Sequence, residues 1–125
     1  MEKDIIRYRK QRAAESIKEA ELLLENDKLY AAVNRIYYAV FHEVIALLLT
    51  KGLSSSKHSG VRSIFNKEFV KTGIVEKKHG EFYNSIFGFR QRADYEDFVK
   101  FNREKVKSWL NNAKAFIDSV KDNIK

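Results

Sequence analysis

The chain has 125 residues, no cysteine and no proline, and this length suits one compact domain that buries a core without disulfide bonds. The absence of cysteine excludes disulfides and thiolate zinc sites, so a cytoplasmic location is expected. The formal net charge of +7 favours encounter with RNA, DNA or nucleotide phosphates, but 24 basic residues are interleaved with 17 acidic ones, so charge alone does not decide the partner. We expect a single helical domain over residues 1–125.

The amino-terminal segment lacks the long apolar run of a secretory signal and is spaced like the start of a helix. A first helix is predicted from Asp4 to Glu25, because apolar residues recur at helical steps at Ile6, Ala13, Ile17, Ala20 and Leu24. Asn26-Asp27 interrupts this pattern. A second helix is predicted from about Lys28 to Lys51, with Gly52 placed to end it.

The second predicted helix is apolar on every side. The side that a surface helix would give to water carries Val33, Ile36, Val40 and Leu47. A helix of this kind is either central in a fold or crosses a membrane. The membrane alternative is unfavourable because polar residues fall inside the span, namely Asn34, Arg35, His42 and Glu43. We therefore expect this helix to be covered by its own chain and by a second subunit, and a homodimer supplies that cover most simply.

Three further helices are predicted after the Ser54-Ser55-Ser56 stretch. The third is short, ends near Gly73, and carries Val61, Ile64, Phe65 and Phe69. The fourth carries Phe82, Ile86, Phe89 and Ala93, and the segment from Asp94 to Phe101 loses the rhythm and bends. The last, from about Arg103 to Ile124, has the clearest stripe: Val106, Trp109, Leu110, Ala113, Phe116, Ile117, Val120 and Ile124. The sequence therefore predicts an all-α, up-and-down bundle of about five helices.

Arg35 and His42 are the first candidate functional residues. They lie seven positions apart, two helical turns, so they project from one face about 10 Å apart along the axis, with Tyr38 between them. A guanidinium binds phosphate through a fixed fork of donors, and an imidazole moves protons near neutral pH. The pair suits metal-free RNA cleavage, with His42 as general base or acid and Arg35 as phosphate clamp.

A structural role for both residues remains an alternative. Arg35 on a mostly buried helix is then held by a carboxylate, for which Asp94 or Glu43 is available. His42 is then a core histidine hydrogen-bonded to a tyrosine or a backbone carbonyl.

Further candidates lie outside the second helix. Arg90, Arg92, Asp94 and Tyr95 cluster where the fourth helix ends, either as favourable charges at a helix terminus or as an anion-binding rim in which Asp94 orients an arginine. Lys57 and His58 open the third helix, whose free N–H groups can bind an anion. His58 fits a polar helix-start residue better than a catalyst, and His79, in a lysine-flanked stretch, is expected to be exposed.

Metal and cofactor sites are not expected. The sequence has no His-x-Glu motif, carboxylate cluster or cysteine, and neither a glycine-rich phosphate loop nor a nucleophile elbow.

At three segments the chain resembles the HEPN superfamily, and within it the small stand-alone archaeal and bacterial proteins. These segments are residues 31–42 (AAVNRIYYAVFH), residues 57–61 (KHSGV) and residues 92–95 (RADY). The resemblance implies an up-and-down bundle, also similar to nucleotidyltransferase substrate-binding subunits, that dimerises. Such proteins are often encoded beside a minimal nucleotidyltransferase as a toxin and antitoxin pair.

Active members of this superfamily are metal-independent endoribonucleases. Their motif is an arginine followed four to six residues later by a histidine, usually near the start of a late helix at the dimer cleft. Arg35 and His42 fit this spacing but lie on the second helix, whereas Arg90 precedes Tyr95 and the later segment has no histidine. In some relatives the partner transferase adds AMP to a tyrosine just beyond the motif, a position that Tyr95 loosely matches.

The resemblance therefore implies a protein that binds or cleaves RNA or nucleotides. The alternatives are a non-catalytic module that binds a nucleotide or a partner, and a purely structural dimer in which Arg35 pairs with Asp94.

Overall fold

A computed structural model describes residues 2–124. It contains five α-helices: α1 (Glu2–Glu25), α2 (Leu29–Leu49), α3 (His58–Phe65), α4 (Lys77–Tyr95) and α5 (Arg103–Val120). A π-helical turn, Asn66–Val70, continues α3, and a 3-10 turn, Lys121–Asn123, follows α5. Every regular element within residues 2–124 is helical, and this confirms the predicted all-α bundle.

Helix α2 lies at the centre of the bundle, where it contacts α1, α3, α4 and α5. The side that carries Val33, Ile36, Val40 and Leu47 is fully buried within one chain. Among the described helices α2 alone is long and apolar enough to cross a membrane by length and composition, and most of that stretch is buried inside the bundle. The chain itself therefore covers the side for which we expected a second subunit, and the apolar surround of α2 gives no argument for a dimer.

The helix ends follow the predicted interruptions. Gly52 (φ 68°) and Gly73 (φ 81°) adopt the left-handed conformation that favours glycine, and each lies just beyond a helical segment. Asn102 caps α5, because its side-chain oxygen accepts hydrogen bonds from the backbone N–H groups of Glu104 and Lys105. These helix-terminating and helix-capping residues determine where the connections between the helices lie.

Aromatic side chains form the middle of the core. The Phe65 ring centroid lies 5.5 Å from that of Tyr83 and 5.6 Å from that of Phe116. His79 joins this group, since its ring meets the edge of Phe116 at 5.8 Å. The expectation that His79 is exposed is wrong: its position in the first turn of α4 turns the ring towards α5, and burial lowers its pKa.

Candidate functional site

The candidate site is a cluster of rings where α3 begins beside α2. We call Tyr37, Tyr38, Phe41, His42 and His58 the ring cluster. The Tyr38 ring centroid lies 6.0 Å from that of His42 and 5.8 Å from that of His58, and His58 stacks on Phe41 at 4.2 Å. Two imidazoles from separate segments of the sequence thus meet the same tyrosine.

The first imidazole, His42, is buried and has a partner from α1. Its Nδ1 lies 3.0 Å from a terminal nitrogen of Arg9. A guanidinium only donates hydrogen bonds, so Nδ1 accepts and the proton of the neutral ring is on Nε2. Burial, reinforced by the charges of Arg9, Arg12 and Arg35, lowers the pKa of His42 to about 4. His42 is therefore neutral at physiological pH, with Nε2–H as its available donor.

Arg9 was not among the residues singled out from the sequence. The structural alternative for His42 named a tyrosine or a backbone carbonyl as its partner, and the partner is this guanidinium. The signal was present, since Arg9 lies between Ile6 and Ala13 at steps of three and four, and so at the apolar stripe of α1.

Arg35 is held on the side of α2 that faces α1. Its guanidinium carbon lies 5.0 Å from the Tyr38 ring centroid, and a terminal nitrogen lies 3.4 Å from the Glu19 carboxylate. Its Nε and other terminal nitrogen donate to the side-chain oxygen of Asn34 at 3.0 and 2.7 Å. The alternative in which Asp94 or Glu43 holds Arg35 is therefore wrong, because α1 supplies the carboxylate.

Glu43 does not point at the ring cluster but lies against α1 and α5, beside Lys10 and Ile117. Its side chain is buried, and Oε2 has no hydrogen-bond partner among the described residues. Burial raises its pKa to about 7 in spite of the opposing charge of Lys10. Glu43 thus provides no counter-ion to the arginines of the site.

The second imidazole, His58, is more than a polar residue at a helix start. Its Nδ1 lies 2.9 Å from the hydroxyl oxygen of Tyr37. Burial and the charge of Arg90 lower the pKa of His58, and burial raises that of Tyr37 well above its usual range. The Tyr37 hydroxyl can donate to Nδ1 or accept from it, so Nε2 of His58 can carry a proton or accept one.

Arg90 packs on the same tyrosine. Its guanidinium carbon lies 4.6 Å from the Tyr37 ring centroid, and a terminal nitrogen lies 3.2 Å from the Asp94 carboxylate. Asp94 thus has the arginine contact expected of it. Arg90 adds a fixed cation beside His58.

Arg62 is a second residue that the sequence analysis did not single out. Its guanidinium carbon lies 4.3 Å from the Phe87 ring centroid, and a terminal nitrogen donates to the Asn84 side chain at 3.1 Å. Arg90 approaches the same Phe87 ring at 5.9 Å. The four-residue step from His58 to Arg62 on α3 would have placed both on one helix face.

Three predicted residues lie apart from this arrangement. Arg92 pairs with Glu96 at 3.4 Å, and the Tyr95 side chain is 78% exposed. Lys57 is exposed ahead of α3, where its backbone N–H donates to the Ser55 hydroxyl at 3.2 Å. Within residues 2–124 no hydrogen bond, ion pair or ring contact joins Arg92, Tyr95 or Lys57 to the ring cluster.

The site as a whole joins cations to aromatic rings and neutral imidazoles. Among the described residues, the guanidiniums of Arg9, Arg35 and Arg90 contact the ring cluster, and the charges of Arg12 and Arg62 act on it from farther away. Fixed guanidiniums bind phosphate oxygens, and rings offer a stacking surface to bases. No group of three or more histidine, cysteine or acidic side chains in the described part of the chain could hold a metal ion. The chemistry available here is anion binding and proton transfer.

Several known proteins are similar in sequence to this chain over most of its length. A UPF0332 protein of Thermotoga maritima is 54% identical over 116 residues, which cover 93% of this chain and 88% of the relative. Two Methanocaldococcus jannaschii proteins, named "Putative toxin MJ0142" and "Putative toxin MJ0605", are 36% and 38% identical and cover 89% and 90% of this chain, and 76% and 84% of their own lengths are matched. The family model described as HEPN domain matches residues 6–123, so the chain belongs to the HEPN domain family.

Proposed function

We propose that this protein is the toxin of a toxin–antitoxin pair, and that it acts in the cytoplasm as a homodimer that binds RNA or nucleotides. Its proposed partner is a minimal nucleotidyltransferase. Membership of the HEPN family supports this proposal, as do the toxin names of the two M. jannaschii relatives. The observation that carries it is the meeting of two neutral imidazoles at Tyr38, with arginines on both sides.

The proposed reaction is metal-independent cleavage of RNA. An imidazole takes the proton of a 2′-hydroxyl, the 2′-oxygen attacks the adjacent phosphorus as the bond from phosphorus to the 5′-oxygen breaks, and the imidazolium formed in the first step protonates the leaving 5′-oxygen. Arg35 and Arg90 stabilise the charge that develops on the phosphoryl oxygens, whereas Arg92, paired with Glu96, lies too far from the ring cluster to support them. His42 is our sequence-based candidate for the proton-transfer role, and His58 is the second imidazole of the same cluster.

The chain has three histidines, and they provide a matched series for testing this reaction. Single-stranded RNA should be cleaved by the purified protein in EDTA. His42→Ala and His58→Ala should each lower the rate by about 100-fold or more, the usual contribution of a general acid or base. His79→Ala removes an imidazole that packs on Phe116 instead of Tyr38 and should leave the rate unchanged.

Far-ultraviolet circular dichroism of all three variants controls for loss of the helical bundle. Full cleavage by a folded His42→Ala variant would remove His42 from the reaction. Full cleavage by both cluster variants would place the chemistry elsewhere.

A second candidate function is binding without turnover. It is favoured by the hydrogen bond from Arg9 to Nδ1 of His42, because that bond occupies the nitrogen that would accept a proton. In this case the protein binds RNA or a nucleotide through the arginines and cleaves nothing. The same assay separates the two functions, since a binding module retains RNA in EDTA and leaves it intact.

A further inference from the structure

Arg62 is a partly buried cation whose surroundings are neutral. Its guanidinium carbon lies 4.3 Å from the Phe87 ring centroid, and a terminal nitrogen donates to the side-chain oxygen of Asn84 at 3.1 Å. The Asn66 amide donates to the same oxygen at 3.1 Å. Within residues 2–124 no carboxylate forms an ion pair with Arg62, and its buried Nε has no hydrogen-bond partner. The charge of this guanidinium is therefore uncompensated in the described chain.

The two arginines that lie on the tyrosines of the ring cluster each have a carboxylate partner. Arg35 lies 3.4 Å from the Glu19 carboxylate, and Arg90 lies 3.2 Å from that of Asp94. Water solvates an exposed arginine that has no partner, but Arg62 is partly withdrawn from water, and an unpaired charge there costs free energy. A bound anion would remove this cost.

The Arg62 guanidinium is held in place before any anion binds. Its contact with Phe87 and its hydrogen bond to Asn84 restrain it, and Asn66 restrains Asn84 in turn. An anion therefore does not have to order a flexible side chain, which lowers the entropic cost of binding. Asn84 takes one of the five N–H donors of the guanidinium, so donors remain for phosphate oxygens.

Arg62 lies next to the ring cluster. It follows His58 by four residues on α3, so the two share one helix face and are about 6 Å apart along the axis. Arg90 lies 4.6 Å from the Tyr37 ring centroid and 5.9 Å from that of Phe87, the ring on which Arg62 packs. The two guanidinium carbons are therefore within about 10 Å of each other. A strand that places one phosphate at His58 and Arg90 can bring a neighbouring phosphate to Arg62.

We propose that Arg62 forms a second phosphate subsite, which binds the backbone phosphate next to the one held at the ring cluster. This inference rests on the RNA binding of the proposed function and narrows the class of substrate. The protein then recognises two consecutive phosphates of one strand, so a strand with a phosphate on either side of a nucleotide binds better than a bare dinucleotide. Arg62 contacts no reacting atom and sets the register of the strand.

Three dinucleotides test the subsite. Their 2′-hydroxyls are methylated to prevent cleavage, and they carry no terminal phosphate, a 5′-phosphate or a 3′-phosphate. Isothermal titration calorimetry in a phosphate-free buffer measures their affinities. For the wild-type protein, a phosphate at one of the two ends should raise the affinity by about tenfold, as expected for hydrogen bonds between charged groups. Arg62→Gln should abolish this gain and leave the affinity for the bare dinucleotide unchanged.

Two further variants control for charge and for geometry. Lys67→Gln removes the same charge from an exposed position of the π-helical turn that continues α3, and it should keep the whole gain. Arg62→Lys keeps the charge but loses the planar fork of donors, so it should show a smaller gain than wild type. Circular dichroism and thermal unfolding establish that each variant folds.

Each possible failure has a separate meaning. An equal gain in wild type and in Arg62→Gln would show that the terminal phosphate binds elsewhere and would overturn the subsite. Binding of the bare dinucleotide with no gain from either phosphate would overturn the subsite but not the RNA site. If wild type bound none of the three at about 1 mM, RNA binding and the subsite would both be wrong. A gain that is lost in Arg62→Gln, in a protein that leaves RNA intact, would support the subsite and reject the cleavage reaction.

Discussion

At the scale of single residues, burial shifts the pKa values of two neighbouring side chains of α2 towards their neutral forms. Burial lowers the pKa of His42 to about 4 and raises that of Glu43 to about 7. In both cases removal from water penalises the charged form. Between these two pKa values the interior of the bundle therefore contains a neutral imidazole and a protonated carboxyl side by side in the sequence.

Glu43 makes the stability of the bundle depend on pH. Its pKa in the folded chain, about 7, lies above the ordinary value of 4.5, so the folded state binds more protons between these values. The free energy of unfolding therefore falls as pH rises from 4.5 through 7, and Glu43→Gln removes this loss. The variant should gain stability over wild type between pH 5 and pH 8, by on the order of 2 kcal/mol.

Urea denaturation of both proteins at pH 5, 6, 7 and 8 measures this gain. The contribution of His42, which is lost as pH falls from 6.5 through 4, is common to both proteins and cancels. Glu25→Gln, at an exposed position near the end of α1, serves as the control. Parallel pH profiles for wild type and Glu43→Gln would mean that Glu43 ionises normally in the folded state.

Spacing along one helix predicted which residues neighbour each other but not what they bind. The two-turn interval from Arg35 to His42 correctly placed both at Tyr38. Their partners, Glu19 and Arg9, come from α1, and the choice among several charged residues there depends on how α1 crosses α2. Periodicity places Arg9 at the apolar stripe of α1 but contains no information about that crossing. The contact of Arg9 with His42, and that of His58 with Tyr37, therefore emerged only from the structure.

At the scale of elements, two glycines of α4 have opposite surroundings. A Cβ atom on Gly80 would lie 2.9 Å from a methyl carbon of Val70 and 3.4 Å from the side-chain oxygen of Asn66. A Cβ atom on Gly88 would meet nothing within 4 Å. Gly80 thus lets α4 approach the π-helical turn closely, whereas Gly88 serves no packing need.

The two alanine substitutions should therefore change stability in opposite directions. Gly80→Ala forces α4 away from Val70 and should lower the free energy of unfolding by about 1 to 3 kcal/mol. Gly88→Ala should raise it by up to about 1 kcal/mol, because alanine is the better helix former. Thermal or urea unfolding of the two variants measures both changes in the free energy of unfolding. A Gly80→Ala variant as stable as wild type would show that the π-helical turn can move away from α4 without loss of stability.

The π-helical turn also shows where prediction from the sequence stops. The apolar pattern predicted one helix ending near Gly73, and it placed Phe65 and Phe69 correctly in the core. The change from α3 to a π-helical turn at Asn66 lies where α4 approaches through Gly80, which is a tertiary contact. Similarly, the fifth helix was predicted to reach Ile124 but ends at Val120, because a 3-10 turn brings Ile124 to the core instead.

At the scale of the whole molecule, the fold followed from hydrophobic periodicity and the assembly did not. The apolar pattern of α2 predicts that the helix is buried on all sides. It does not indicate whether α4 and α5 of the same chain or the helices of another chain bury it. The five helices supply that cover within one chain. Partner surfaces must therefore be sought in exposed features such as the Phe98 side chain, which no periodic pattern singles out.

The net charge of +7 leads to a prediction about nucleic-acid binding by the whole molecule. If the arginines around the ring cluster contact phosphates, the logarithm of the RNA association constant should fall linearly with the logarithm of salt concentration. For single strands the slope is about −0.7 per contact, so five arginines at five phosphates correspond to about −3.5. Fluorescence anisotropy of a labelled single-stranded RNA whose 2′-hydroxyls are methylated, and which the protein therefore cannot cleave, measures it between about 50 and 500 mM KCl.

Substitutions at Arg35 show whether this slope arises at the ring cluster. Arg35→Gln removes one cation at Tyr38 and should reduce the magnitude of the slope by about 0.7, whereas Arg35→Lys keeps the charge and should preserve the slope. Lys107→Gln, on the exposed side of α5, removes the same charge elsewhere and should leave the slope unchanged. If Lys107→Gln and Arg35→Gln reduced the slope equally, RNA would be held by the general positive charge of the protein. A loss confined to Arg35→Gln assigns the phosphate contacts to the ring cluster, because only there does the missing cation meet the bound strand.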